Sequence, residues 1–167
     1  MAFAGELVKK VQLMKMINLF VSHYGGDEEK INGVKSLLSK KGYLVRDGSI
    51  KESEPNHAKN ESYIKQKILA PQIRWAGCIV VLIGPKTASR EWVDWEIKYA
   101  MKQGKRIVGI FLQGAKDSDV PQALQEYGDA LVGWSSGKLV EAISGENLWL
   151  NADNTERAEN ASSRSSC

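Results

Sequence analysis

The stretch best equipped for chemistry is Ser89-Arg90-Glu91-Trp92-Val93-Asp94-Trp95-Glu96-Ile97-Lys98-Tyr99-Ala100. At about 100° per residue, Val93, Ile97 and Ala100 fall on the inward stripe of a helix. Trp92 and Glu96 are four residues apart and stack along one flank. Ser89 precedes Glu96 by seven residues and is expected on the same flank, about two turns up. Glu96 therefore borders the apolar stripe and does not stand at the centre of the polar face. A carboxylate so placed loses hydration beside an indole, which shifts its proton affinity and makes it a functional candidate. The spacing is also compatible with a solvated glutamate paired to a lysine, and with tryptophans that fill a core.

Other candidates stand at the ends of apolar runs. Ser22-His23-Tyr24 closes the first such run, and His23 there either hydrogen-bonds a ligand or caps the loop. Asp47-Gly48-Ser49 is either a plain turn or the start of the long polar stretch Asp47 to Asn60, and long loops are more often functional than short ones. His57 is expected to be exposed. Several chemistries are excluded. No GxGxxG follows the first run and no GxxxxGK[ST] occurs, so neither phosphate cradle is present. A phospho-receiver needs acidic residues where Ser22-His23 and Gly84-Pro85 stand. There is no G-x-S-x-G elbow for a hydrolase serine. His23 and His57 lack neighbouring ligands, so no metal site is expected.

These residues need elements to position them. Leu7, Val8, Val11 and Leu13 or Met14 recur at helical spacing and predict a short amphipathic helix over residues 1–15. Ile17-Asn18-Leu19-Phe20-Val21 reads as a strand. A helix with Ile31, Val34, Leu37 and Leu38 inward follows, ended by Gly42. Tyr43 to Arg46 is a second strand. Glu61 to Trp75 reads as a helix in which Pro71 introduces a kink or an early end. Cys78 to Ile83 is apolar throughout, the pattern of a strand covered on both faces. The helix from Ser89 to Gln103 is closed by Gly104. Arg106 to Phe111, a helix after Pro121, Ala130 to Val132 and a helix marked by Leu139, Val140 and Ile143 complete the series. Residues 151–167 hold no aliphatic side chain larger than Ala and predict a disordered tail after a domain over 16–150. Alternating strands and helices with such apolar strands imply an α/β fold, a parallel sheet between helical layers. Ligands of such sheets bind beyond the carboxyl ends of the strands, where Ser22–Gly26, the Asp47 loop, Gly84–Ser89 and Gln113–Asp119 lie.

The whole composition agrees with one ordinary domain. The 167 residues are 43% hydrophobic and 26% charged. A net charge of +3, without a basic block, argues against nucleic acid as partner. Two cysteines, Cys78 and Cys167, make no disulfide framework, and a reducing cytoplasmic setting is expected. The apolar run Ala76 to Gly84 is about half of the ~18 residues a membrane span needs. No membrane attachment is expected.

The run Ile17 to His23 resembles the opening strand of TIR domains, which ends in Ser and an aromatic ring. The stretch from Asp47 sits where that family has its BB loop. Ser89…Trp92-Val93-Asp94-Trp95-Glu96 resembles its Ser-x-Trp-Cys-x-x-Glu signature, with two residues between Ser89 and Trp92 and Val93 in place of Cys. From Tyr63 to Ala100 the chain resembles bacterial and archaeal TIR-like proteins, among them the TIR component of Thoeris anti-phage defence. The resemblance covers about residues 17–145 and implies a flavodoxin-like fold with a five-stranded sheet ordered 2-1-3-4-5. It implies NAD as substrate and not a bound cofactor, cleaved at the nicotinamide–ribose bond to an ADP-ribose-derived messenger that acts on a separate effector. Glu96 is implied as the catalytic carboxylate. Ser22, His23, Tyr24, Asp47, Ser49, Ser89 and Trp92 are implied as substrate-binding residues. A homo-oligomer and a phage-derived trigger are further expectations. A non-catalytic adaptor and a nucleoside deoxyribosyltransferase-like enzyme are the alternatives.

Overall fold

The computed structural model describes residues 15–23, 28–47 and 64–158. Five strands, β1 (Lys15–Ser22), β2 (Tyr43–Asp47), β3 (Cys78–Ile83), β4 (Arg106–Phe111) and β5 (Ala130–Val132), form one sheet in the order β2-β1-β3-β4-β5. All adjacent pairs run parallel. The helices are α1 (Glu28–Ser39), α2 (Ala70–Trp75), α3 (Glu91–Lys102), α4 (Gln122–Tyr127) and α5 (Ser136–Ile143). This is the flavodoxin-like order that the resemblance implies.

Strand alternation divides the core into two layers. Leu19, Val21, Val80, Leu82, Val108 and Ile110 face α1 and α5, where they meet Val34, Leu38 and Leu139. Phe20, Ile79, Val81, Ile83 and Ile107 face the other way, against Ile73, Val93, Ile97 and Leu124. Every residue of β3 is buried, which accounts for its unbroken apolar run. Gly42 (φ +83°) and Gly104 (φ +67°) follow α1 and α3 in the left-handed conformation that an L side chain disfavours. In β4, a side chain at Gly109 would meet Leu124 Cδ2 at 2.6 Å and Leu131 Cδ1 at 2.7 Å. Its absence lets those two leucines close over the strand.

Three regions differ from their sequence-based expectations or extend beyond them. The helix before β3 is a π-helical segment, Ile64–Leu69, that runs into α2. Pro71 falls where the π-helical segment passes into α2, and the helical stretch continues through it to Trp75. At the N-terminus, β1 begins at Lys15, whose N–H donates to the Gly42 carbonyl at 2.9 Å. The expected helix before it lies in residues 1–14, outside the described residues. At the C-terminus, residues 151–158 are not the start of a disordered tail. Leu150 bridges Glu156, and Trp149 bridges Leu131 beside β5. Asn154 Oδ1 accepts from the Gly133 N–H at 2.8 Å, and Arg157 pairs with Asp117. Polar groups hold this strap where apolar side chains are lacking. Among the described residues, no helix is long and apolar enough to cross a membrane.

Candidate active site

At the carboxyl ends of the strands, β1 stops at Ser22 and β3 at Ile83. The turn after β3 is held by Thr87, which is fully buried. Its hydroxyl donates to the Leu82 carbonyl at 3.0 Å and accepts from the Gly84 N–H at 2.9 Å. A short 3-10 turn, Thr87–Ser89, follows, and Arg90 is extended (φ −89°, ψ 112°) before α3 begins. In α3 the inward residues are Val93, Glu96, Ile97 and Ala100. Helical side chains lean toward the helix N-terminus, so Glu96 leans toward the rim of the sheet.

Glu96 is only 7% exposed and Ser22 only 1%. Glu96 Oε2 and Ser22 Oγ are both buried, and neither makes a hydrogen bond of good geometry. Burial pushes the Glu96 pKa up to about 7. The nearby Ser22 hydroxyl and the positive charge of Arg90 oppose that rise without cancelling it. Ser22 is thus close enough to bias the carboxyl group without closing a bond to it. A solvated glutamate paired to a lysine is not what the structure contains. Lys98 pairs with Asp94 at 2.9 Å instead. A buried carboxyl group that changes charge near neutrality can exchange a proton. Its ionised form can accept hydrogen bonds from sugar hydroxyls or stabilise a cation.

His23 follows Ser22 and is half-buried. Its Nδ1 lies 3.0 Å from the Val21 carbonyl oxygen. A carbonyl only accepts, so Nδ1 carries the proton, and Nε2 of the neutral ring is left as an acceptor. Trp92 packs against the Val93 and Ile97 layer, partly buried. Lys65, from the π-helical segment, lies 5.6 Å from the Trp92 ring centroid and 5.7 Å from that of Trp95. Trp95 stacks on Tyr99 at 5.1 Å, and Arg74 Nη1 donates to the Tyr99 hydroxyl at 2.7 Å. Sequence reasoning missed Lys65, Arg74 and Arg90. The available signal was the Trp92, Trp95, Tyr99 series at i, i+3 and i+7, a second face of α3 that has to be covered by something.

Ser89 does not share a flank with Glu96. The extended Arg90 separates it from α3, and its exposed hydroxyl donates to the Lys86 carbonyl at 3.0 Å. The expected helix start at Ser89 is therefore corrected to Glu91. Asp47 is the last residue of β2. Tyr24 and Ser49 lie outside the described residues, as does the rest of the Asp47 to Asn60 stretch. No three histidine, cysteine or acidic side chains group to hold a metal ion among the described residues. Cys78 is buried, and burial pushes its pKa up to about 12.

The family model described as "Thoeris protein ThsB, TIR-like domain" matches residues 20–117. None of the curated proteins matches the chain. Among solved structures, the TIR domains of the activated Roq1 resistosome, which recognises the pathogen effector XopQ, match with a TM-score of 0.40 and 21% identity. That match covers 57% of each chain. The CMP N-glycosidase BcmB of Clostridium botulinum matches with a TM-score of 0.44 and 14% identity, covering 76% of this chain and 98% of its own. A conserved protein of Enterococcus faecalis matches with a TM-score of 0.49 and 14% identity, covering 77% of this chain and 98% of its own.

Proposed function

The chain belongs to the TIR-like family of the Thoeris protein ThsB, and on that premise we propose that it consumes NAD by breaking the nicotinamide–ribose bond. In this reading NAD is substrate, and the product is an ADP-ribose-derived messenger for a separate effector in anti-phage defence. A homo-oligomer is the assembled form.

The observation that carries the proposal is the buried carboxyl group of Glu96 at the rim, with Oε2 unsatisfied opposite an equally unsatisfied Ser22 hydroxyl. Buried polar atoms are nearly always paired in a finished core, and exceptions call for a functional account. Cleaving an N-glycosidic bond withdraws the bonding electrons into nicotinamide and leaves an oxocarbenium-like ribose. An ionised Glu96 beside that ribose accepts hydrogen bonds from its hydroxyls and opposes the developing positive charge. Water adding at the anomeric carbon gives ADP-ribose and one proton. An internal nucleophile of the same molecule gives a cyclic product. His23 Nε2 and Ser22 Oγ offer an acceptor and a donor at the end of β1, and Trp92 flanks the carboxylate on α3.

The test is incubation of the full chain with NAD, with nicotinamide and ADP-ribose products followed by chromatography. Nicotinamide release that disappears in Glu96→Gln is the expected result. Release that continues undiminished in that variant removes Glu96 from the chemistry. No release from wild type in any oligomeric state leaves the adaptor reading in possession.

A further inference from the structure

We propose that residues 1–14 of this chain dock by their apolar side on a corner of the sheet that the described helices leave open, at the amino ends of β1 and β2 beside the end of α2. This reading does not depend on the proposed cleavage of NAD.

Among the described residues, four large apolar side chains keep more than a third of their surface exposed: Met16 (57%), Leu44 (44%), Trp75 (41%) and Met101 (39%). All four belong to one end and one layer of the fold. Met16 and Leu44 stand opposite each other in register, at the starts of β1 and β2. Their neighbours Ile17, Tyr43 and Val45 pack in the layer of α1 and α5, so by strand alternation Met16 and Leu44 project to the other side. Trp75 is the last residue of α2, and Met101 is the last but one of α3. Both helices cover that other side. Helices that join parallel strands run back to the strands' amino ends, which is where these two residues come to lie. The chain leaving α2 is held against β1, because the Gly77 N–H donates to the Asn18 carbonyl at 3.0 Å, two residues from Met16. Arg74 Nη1 ties the last turn of α2 to Tyr99 of α3 at 2.7 Å. Single exposed apolar residues are ordinary, whereas their collection at one corner marks a surface that is normally covered.

The position of the chain selects the occupant. Residue 14 directly precedes β1, so residues 1–14 leave the sheet at this corner. Their exit is anchored beside β2, because the Lys15 N–H donates to the carbonyl of Gly42, the residue before Tyr43. At 100° per residue, Leu7, Val8, Val11 and Met14 fall within about 120° of one another, with Glu6 and Lys9 on the opposite side. Fourteen residues in helical form extend about 21 Å, or about four strand spacings. Other occupants fit less well. Residues 48–63 leave and rejoin the fold at the carboxyl end of the sheet, since β2 ends at Asp47 and Lys65 lies over Trp92 in the first turn of α3. Residues 159–167 hold no aliphatic side chain larger than Ala. Four partly exposed side chains offer well under the roughly 800 Å2 that each partner buries in a stable dimer.

The test is hydroxyl-radical labelling of the full chain, with modified residues located by mass spectrometry. It compares wild type, Leu7→Asp/Val11→Asp and, as the control on the polar side, Glu6→Gln/Lys9→Gln. Labelling at Met16, Leu44 and Trp75 is expected to rise about three- to tenfold in the Leu7/Val11 variant and to stay at the wild-type level in the control. Equal labelling of the three residues in wild type and in the Leu7/Val11 variant overturns the proposal, as does an equal rise in both variants. Protection in wild type that fades on dilution from oligomer to monomer assigns the cover to a second copy and also overturns it. Where the aspartate variant lacks a cooperative unfolding transition, Leu7→Ala/Val11→Ala takes its place with the same expected order of labelling.

Discussion

The two ends of the sheet carry opposite signatures. At the amino ends of the strands there is a cavity of about 370 Å3, lined by Met101, Lys105, Arg106, Tyr127 and Asp129 among others. Two of its polar side chains are fully engaged. Arg106 donates from Nε to the Ala142 carbonyl at 2.6 Å, from Nη2 to the Glu146 carbonyl at 2.7 Å and from Nη1 to Asn147 Oδ1 at 3.1 Å. Asp129 Oδ2 accepts from the Ile107 N–H at 2.8 Å. At the carboxyl ends, Glu96 and Ser22 are buried with atoms left over. The amino end is a joint that fastens α5 and its following turn to β4. The unsatisfied end is the one to which the proposed function assigns the substrate. Buried polarity without a partner marks the carboxyl end as the functional candidate.

Four measurements sharpen or break that contrast. The largest effect is expected in Glu96→Gln, which should lower nicotinamide release at least about a hundredfold, the usual scale for removing a charge-stabilising group. An activity within tenfold of wild type would place the chemistry elsewhere.

The second concerns pH. Folding raises the Glu96 pKa to about 7 from an ordinary 4.5, so the native state binds this proton more tightly than the unfolded state does. The resulting stabilisation is fully present below about pH 4.5 and is lost as pH rises through 7, a difference of roughly 3 kcal/mol. Urea unfolding of wild type and Glu96→Gln should therefore diverge between those pH values, with the variant the more stable partner in mild alkali. Parallel curves would mean that Glu96 is not desolvated. Catalysis runs the other way. If the ionised carboxylate is the active form, kcat/KM should climb through about pH 7 to a plateau.

The third probes the opposite end. Arg106→Ala should cost about 2–3 kcal/mol in urea unfolding, because it strips hydrogen bonds from two backbone carbonyls. The rate of nicotinamide release per folded molecule should not change. A loss of rate without a loss of stability would mean that the amino end takes part in function.

The smallest effect is expected from Ser22→Ala. Its hydroxyl lowers the Glu96 pKa, so its removal should move the rising limb of the pH–rate profile to higher pH. An unmoved midpoint would show that the two groups do not communicate.

Much of this could be read from residue order. The unbroken apolar run Cys78 to Ile83 announced a strand covered on both sides, and the glycines at 42 and 104 marked helix ends. The flank position of Glu96 followed from helical spacing alone. What spacing could not provide was distance between separate elements. Ser22 and Glu96 approach because β1 and β3 pair in a particular register, with Ser22 opposite Val81, and because α3 lies over that pair. Ser89 was misplaced because helical spacing was carried back through Arg90, and nothing in that residue's identity reveals that it is extended. Residues 151–158 appeared formless because periodicity registers apolar side chains. The groups that hold this strap, Asn151, Asn154, Thr155 and Arg157, bond through oxygen and nitrogen.

Gly109 has a consequence for how this sheet can vary. Its backbone needs no unusual angles, yet the space a β-carbon would fill already belongs to the ends of Leu124 and Leu131, both wholly buried. The three positions form a size-coupled set drawn from a strand, a helix and a neighbouring strand. Alanine at 109 should be tolerated only in company with a trimmed leucine, so a double-replacement library at these sites should yield paired survivors and few single ones.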